Sequence, residues 1–146
     1  MKVSRSALLP YSAPKMFGII TDVSSYPEFL NWCSGAELLE ESDNKIVAKL
    51  SISYVKLGFS FTTENTMRLD ESVRISLVDG PFSSLEGLWT VTSLNENACK
   101  VSLDMQFAFD NAVTHKLLGG VFQKIIAAQL DAFQNRAKQL YGEDHA

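Results

Sequence analysis

The sequence predicts an α+β fold in which a curved antiparallel sheet of about seven strands, in the order β-α-α-β6-α, wraps around one long C-terminal helix. Two patterns carry this. From Ala36 apolar and polar residues alternate for about seventy residues, interrupted by short polar turns, which is the signature of hairpin-linked strands buried on one face. From Asp110 or Asn111 to Gly142 apolar residues instead recur at three- and four-residue spacing, giving a helix long enough to cross such a sheet.

The elements follow in order. A first strand fits Lys2 to Leu9, where Val3, Arg5, Ala7 and Leu9 alternate with Lys2, Ser4, Ser6 and Leu8. Pro10 ends it, having no amide proton to give a neighbouring strand. Ser12 caps a helix with Pro14 in its first turn, and Met16, Phe17 and Ile20 form its apolar stripe until about Asp22. A shorter helix opens at Ser24 or Ser25, holds Pro27 early and turns Phe29 and Leu30 inward, before Asn31 to Gly35 breaks it. Strands follow over Ala36 to Glu41 and Ile46 to Val55, on either side of Ser42-Asp43-Asn44. In the next strand Leu57, Phe59, Phe61, Thr63, Asn65, Met67 and Leu69 share a face. Asp70-Glu71-Ser72 turns the chain into Val73, Ile75 and Leu77, and Asp79-Gly80-Pro81 turns it again into Leu85, Gly87, Trp89 and Val91. Beyond Asn95-Glu96-Asn97, a last strand sets Cys99, Val101, Leu103, Met105, Phe107 and Phe109 against Lys100, Ser102, Asp104 and Gln106. The stripe of the final helix runs from Val113, Leu117, Leu118, Val121 and Phe122 through Ile125, Ile126, Leu130 and Phe133 to Ala137, Leu140 and Tyr141. Residues 1–142 form one expected domain, and Glu143 to Ala146 a frayed tail.

Bulk properties narrow the function. With 146 residues, 46% of them hydrophobic, the chain can bury a sizeable core. A formal net charge of -4 makes the average surface repel phosphate, so nucleic acid would need a local basic patch. The available cations are Lys116, Lys124, Arg136 and Lys138 on the final helix, with Lys2 and Arg5 at the start. Cys33 and Cys99 lack CxxC spacing and no apolar export segment follows Met1, which predicts a cytoplasmic protein with reduced thiols. No stretch reaches the ~20 apolar residues of a membrane span, so membrane contact would be peripheral.

Chemistry of catalysis is not written in the chain. His115 and His145 have no partner at metal-ligand spacing, there is no nucleophile elbow or phosphate loop, and Glu64 falls on the strand face opposite Phe61 and Met67. Glu37, Glu40, Glu41 and Asp43 cluster on a solvated hairpin. The expectation is a binding protein and no enzyme, without catalytic residue, metal or cofactor.

What the pattern does offer is a cavity. The in-facing strand residues Phe59, Phe61, Met67, Trp89, Met105 and Phe107 oppose Leu118, Phe122 and Ile126 on the helix, with Phe82 and Leu85 beside the Gly-Pro turn. Plain core packing is the competing reading of the same residues. Gly87 removes a side chain between Leu85 and Trp89, and Gly119-Gly120 costs roughly 1 kcal/mol per glycine in a helix; both imply close packing, a kink or space kept open. If that space holds a ligand, Gly120→Leu should fill it. Tyr26, Pro27, Phe29, Leu30 and Trp32 are expected to form a lid at its mouth, with Tyr26 and Phe29 touching the ligand.

Three motifs occur in order: Asp22-Val23-Ser24-Ser25-Tyr26-Pro27-Glu28-Phe29-Leu30-Asn31-Trp32-Cys33; then Leu77-Val78-Asp79-Gly80-Pro81-Phe82 with Leu85, Gly87 and Trp89; then Ala132-Phe133-Gln134-Asn135-Arg136-Ala137. Together they resemble the bacterial ribosome-association toxin / coenzyme Q-binding protein family of the START-like superfamily, over essentially the whole chain. The resemblance implies a helix-grip fold and two roles of different classes. One is non-enzymatic binding of a hydrophobic small molecule, ubiquinone or a related polyisoprenoid lipid, in a tunnel between sheet and helix, in support of respiration. The alternative is a toxin that binds the large ribosomal subunit and blocks subunit joining. An apolar tunnel and an acidic surface favour the first.

Overall fold

The computed structural model describes residues 1–54 and 57–142. Among them the strands are β1 (Lys2–Leu9), β2 (Cys33–Ser42), β3 (Lys45–Tyr54), β4 (Leu57–Arg68), β5 (Ser72–Asp79), β6 (Phe82–Asn95) and β7 (Ala98–Phe109). The helices are α1 (Ala13–Thr21), α2 (Tyr26–Phe29) preceded by a 3₁₀ turn (Val23–Ser25), α3 (Ala112–Ala127) and α4 (Gln129–Tyr141). Val55 at the expected end of β3, and the tail from Glu143 to Ala146, lie outside the described residues.

The strands make one antiparallel sheet in the spatial order β1-β7-β6-β5-β4-β3-β2. Every neighbour from β2 to β7 is a hairpin partner, and β1 joins the far side of β7 from Lys2↔Gln106 to Leu9↔Cys99. Alternation sorts the faces as expected. Along β7, Cys99, Val101, Leu103, Phe107 and Phe109 are buried while Lys100, Asp104 and Gln106 are exposed. The expected seven-stranded helix-grip arrangement is therefore the observed one. Its two edges differ in character, for β2 exposes Glu37, Glu40 and Glu41. Lys45 approaches Glu40 at 4.0 Å and Glu64 at 3.6 Å.

Local chemistry explains the helix starts. The Ser12 hydroxyl accepts the Lys15 N–H at 3.3 Å, and Asn111 Oδ1 accepts the Thr114 N–H at 2.8 Å, each satisfying a donor that has no partner in the first turn.

Four expectations need correction. The single C-terminal helix is two, meeting at Ala128, whose N–H still reaches the Lys124 carbonyl at 3.1 Å. Gly119 and Gly120 remain helical, so the glycine pair makes no break. The stripe is also shorter than expected: Val113, Leu117, Leu140 and Tyr141 are exposed, and burial runs from Gly119 to Ala137. Strand β2 begins at Cys33 rather than Ala36, because a register shift between Cys33 and Gly35 lets pairing start early without regular alternation. Finally, β4 ends at Arg68 and Leu69 is 78% exposed, since Asp70 turns the chain with φ 58°.

Candidate functional site

The phenylalanines predicted to line a tunnel mostly fill it. Phe82 stacks on Phe109 at 4.5 Å between centroids, Phe107 meets Phe122 edge-on at 4.8 Å, and Phe59 lies 5.8 Å from Phe109. Phe61 joins them at 5.6 Å from Phe82. Such offset and edge-to-face pairs add to the burial term, so this end of the interior is packed core.

Beside that cluster a cavity of about 70 Å³ remains, under the 3₁₀ turn and α2. Its walls are Val23, Tyr26 and Trp32; Ala48 and Leu50 of β3; Phe61, Thr63 and Asn65 of β4; Ile75; Leu85 and Trp89 of β6; Leu103 and Met105 of β7; and Phe122, Ile125, Ile126 and Gln129 from the C-terminal helices. Of the predicted ligand residues, Tyr26, Phe61, Leu85, Trp89, Met105, Phe122 and Ile126 thus come together. Phe59, Phe82 and Phe107 belong to the aromatic cluster, and Leu118 packs, partly buried, against the core. Met67 lies at the other end of β4 beside Asp43 and Leu69, and Phe29 sits outside the cavity.

Sequence reasoning missed the polar residues. Thr63 donates its hydroxyl hydrogen to Asn65 Oδ1 at 3.0 Å, and Gln129 Oε1 is buried with no hydrogen-bond partner. The signal was present: Thr63 and Asn65 interrupt an apolar β4 face, and Gln129 stands four residues after Ile125 and four before Phe133.

Gly87 has a packing reason. A Cβ there would lie 2.8 Å from both Sδ and Cε of Met105, so the missing side chain makes room for the methionine. A Cβ at Gly119 would meet the His115 ring in ordinary contact at 3.4 Å. Gly120 is exposed with nothing within 4 Å of a built Cβ, which corrects the expected effect of Gly120→Leu: the leucine would enter solvent and leave the cavity unchanged.

The segment expected to form a lid is pinned by polar contacts as well as by aromatic ones. Tyr26 and Leu30 are buried, and the Tyr26 hydroxyl donates to the Ile20 carbonyl. Phe133 of α4 holds Tyr26 at 5.5 Å and Phe29 at 5.8 Å. Arg136 donates to Glu28 Oε1 at 3.2 Å while its guanidinium lies 4.9 Å from the Phe29 ring centre. Arg136 is therefore engaged with the lid and is removed from the expected basic patch.

Burial raises the Tyr26 phenol and the Cys33 thiol above their ordinary ranges and pushes Cys99 up to about 11. A thiol whose folded value exceeds its unfolded 9.0 favours folding fully below pH 9, and that contribution is lost as pH rises through 11. The urea midpoint should hold steady to about pH 8 and fall across that window, by an effect on the order of 1 kcal/mol from Cys99. In Cys99→Val the fall should be smaller; an identical profile would remove the thiol as its source.

Among the described residues no group of three His, Cys, Asp or Glu could hold a metal, and no helix is long and apolar enough to cross a membrane. The polyketide cyclase/dehydrase and lipid transport family matches residues 9–134. The ribosome association toxin RatA of Vibrio cholerae is 44% identical over 142 residues, covering 97% of this chain and 99% of that one. A mitochondrial coenzyme Q-binding protein homologue of Xenopus laevis is 24% identical, covering 97% of this chain and 60% of its own length. A crystal structure of an aromatase/cyclase from a Streptomyces species has a TM-score of 0.86 at 15% identity over 100% of this chain and 99% of that one, a likeness of fold alone.

Proposed function

We propose, from the premise that this chain belongs to the polyketide cyclase/dehydrase and lipid transport family, that it is a non-enzymatic binding protein whose partner is the ribosome. The observation that carries this is the 44% identity to a ribosome association toxin across nearly the full length of both chains. The order of preference expected from the sequence is thereby reversed. The coenzyme Q-binding relative is only 24% identical. The cavity, at about 70 Å³, is also well below the ~300–1,000 Å³ of ordinary ligand pockets. In its full form the proposal is a cytoplasmic toxin that binds the large subunit and blocks subunit joining.

The phosphate-facing surface is assigned to α3. Lys116 and Lys124 are exposed there, and α3 packs against β7 and β1, whose Arg5 is also exposed, while Lys2 stands with Glu86 and Asp104 on the outer sheet face and is no part of that surface. The experiment is cosedimentation of the purified protein with large subunits at rising salt, using wild type and a Lys116→Gln, Lys124→Gln variant. Wild type should pellet at low salt, and the variant should weaken binding and flatten the log-log salt slope by about 1.5. No cosedimentation at low salt ends the ribosomal reading. A variant that binds like wild type moves the contact to another face.

A second reading is favoured by the cavity itself, whose walls are mainly aliphatic and aromatic but include Thr63, Asn65 and Gln129. It is a site for an apolar ligand, of which a ubiquinone-like lipid is one example, and entry of anything that large requires the lid to open.

A further inference from the structure

The cavity has apolar walls and a small set of polar groups, and one of these is unsatisfied. Gln129 opens α4 at a position where the helix stripe calls for an aliphatic residue, between the buried Ile125 and Phe133. Its Oε1 is buried without a partner among the described residues. Such an acceptor is costly to leave unpaired, and a leucine would avoid the cost. Thr63 fixes the neighbouring Asn65 amide by donating to its Oδ1 at 3.0 Å, so the pair offers the Asn65 NH₂ group as a donor. The cavity therefore presents an acceptor and a donor within a wall of Phe61, Leu85, Trp89 and Ile126.

We propose that this cavity selects an apolar molecule bearing a hydroxyl group, a phenol or a hydrophobic alcohol, whose O–H donates to Gln129 Oε1. The proposal rests on the second reading above and names the ligand chemistry it requires. A carbonyl or ether ligand would bring no hydrogen for Gln129. A carboxylate or ammonium would be stripped of water with no charged side chain in the wall to meet it. Water alone would satisfy Gln129, yet about 70 Å³ is several times the ~10–15 Å³ that one water needs, and the remaining walls give further waters few partners.

The test compares 4-fluorophenol with 4-fluorotoluene, matched in shape and differing in the hydroxyl, by fluorine NMR titration of wild type and Gln129→Leu. Indole ¹H–¹⁵N shifts locate the bound probe, because Trp32 and Trp89, the chain's two tryptophans, both line the cavity. Gln129→Leu should fold at least as stably as wild type, checked by thermal melting. Its dissociation constant for 4-fluorophenol should rise about tenfold, as expected for one lost hydrogen bond, while that for 4-fluorotoluene changes less than about twofold. If both probes bind and the substitution shifts them equally or not at all, hydroxyl selection is wrong and the cavity reading survives. If neither probe perturbs the indoles of the wild type, both fall together.

Discussion

Phe133→Ala is expected to lower the unfolding free energy by about 3–5 kcal/mol and the melting temperature by about 10 °C. Phe133 is 0% exposed and its ring meets three others at once, two on α2 and one on β6: Tyr26 at 5.5 Å, Phe29 at 5.8 Å and Trp89 at 5.1 Å. Truncation removes the burial of a whole aromatic ring and leaves a hole that those neighbours cannot all close, because Trp89 is fixed in a sheet paired on both sides. The segment from Val23 to Trp32 loses its contact with α4, leaving the Tyr26–Ile20 hydrogen bond, the burial of Leu30 and the Arg136–Glu28 contact, a kind of pair worth little alone. Hydrogen exchange across residues 23–32 should accelerate more than exchange in β7. A loss of less than about 1 kcal/mol in urea unfolding, with lid exchange unchanged, would show that α4 does not hold the lid.

Gly80→Ala is expected to cost about 2–6 kcal/mol, an unusual penalty for one methyl group in a turn. Two terms combine. The backbone at Gly80 has φ 149°, a region L side chains rarely adopt, and a Cβ there would sit 2.6 Å from the Phe61 Cβ. Backbone strain accounts for roughly 1–3 kcal/mol and overpacking for a similar amount. Phe61 cannot retreat easily, being packed on Phe82 and Phe122 at 5.6 and 5.9 Å. The same urea measurement checks it, and a Gly80→Ala protein within 0.5 kcal/mol of wild type, roughly the scatter of ordinary surface changes, would mean that the turn can rearrange.

These two residues show what a sequence makes visible. Gly80 beside Pro81 announces a turn, but that the turn leans on Phe61 is a tertiary fact. Alternation along β7 told correctly which residues face inward, since period two reports burial directly, whereas on β4 it held for Phe61 and Thr63 but failed at Leu69, which is exposed, and at Thr62, which is buried. It could not tell whether an in-facing ring packs into a cluster of rings, as Phe59, Phe82 and Phe107 do, or also borders a void, as Trp89 does beside Phe133. Asn65 and Gln129 stood in view as polar interruptions of apolar patterns, but a pattern of apolar residues says nothing of which polar side chains join them at a cavity wall. The break at Ala128 left no trace, because Ala127, Ala128 and Gln129 all favour helix. Arg136 counted as a surface cation because Glu28, its partner, lies 108 residues away.

The acidic strand β2 and the lysine-bearing helix α3 lie at opposite margins of the sheet order, α3 over β7 and β1 and the exposed Glu37, Glu40 and Glu41 on the other edge. A net charge of -4 thus describes the molecule poorly at close range, since these two faces carry charge of opposite sign even though Lys45 and Lys49 of β3 stand beside the glutamates. Near a polyanion such a body experiences a torque before it makes contact, turning the carboxylate edge outward and α3 inward. Beyond a Debye length of ~8 Å at physiological salt that torque is screened away. Orientation would then be chosen only in the last layers of water, and added salt would randomise the angle of arrival before it abolished attraction altogether.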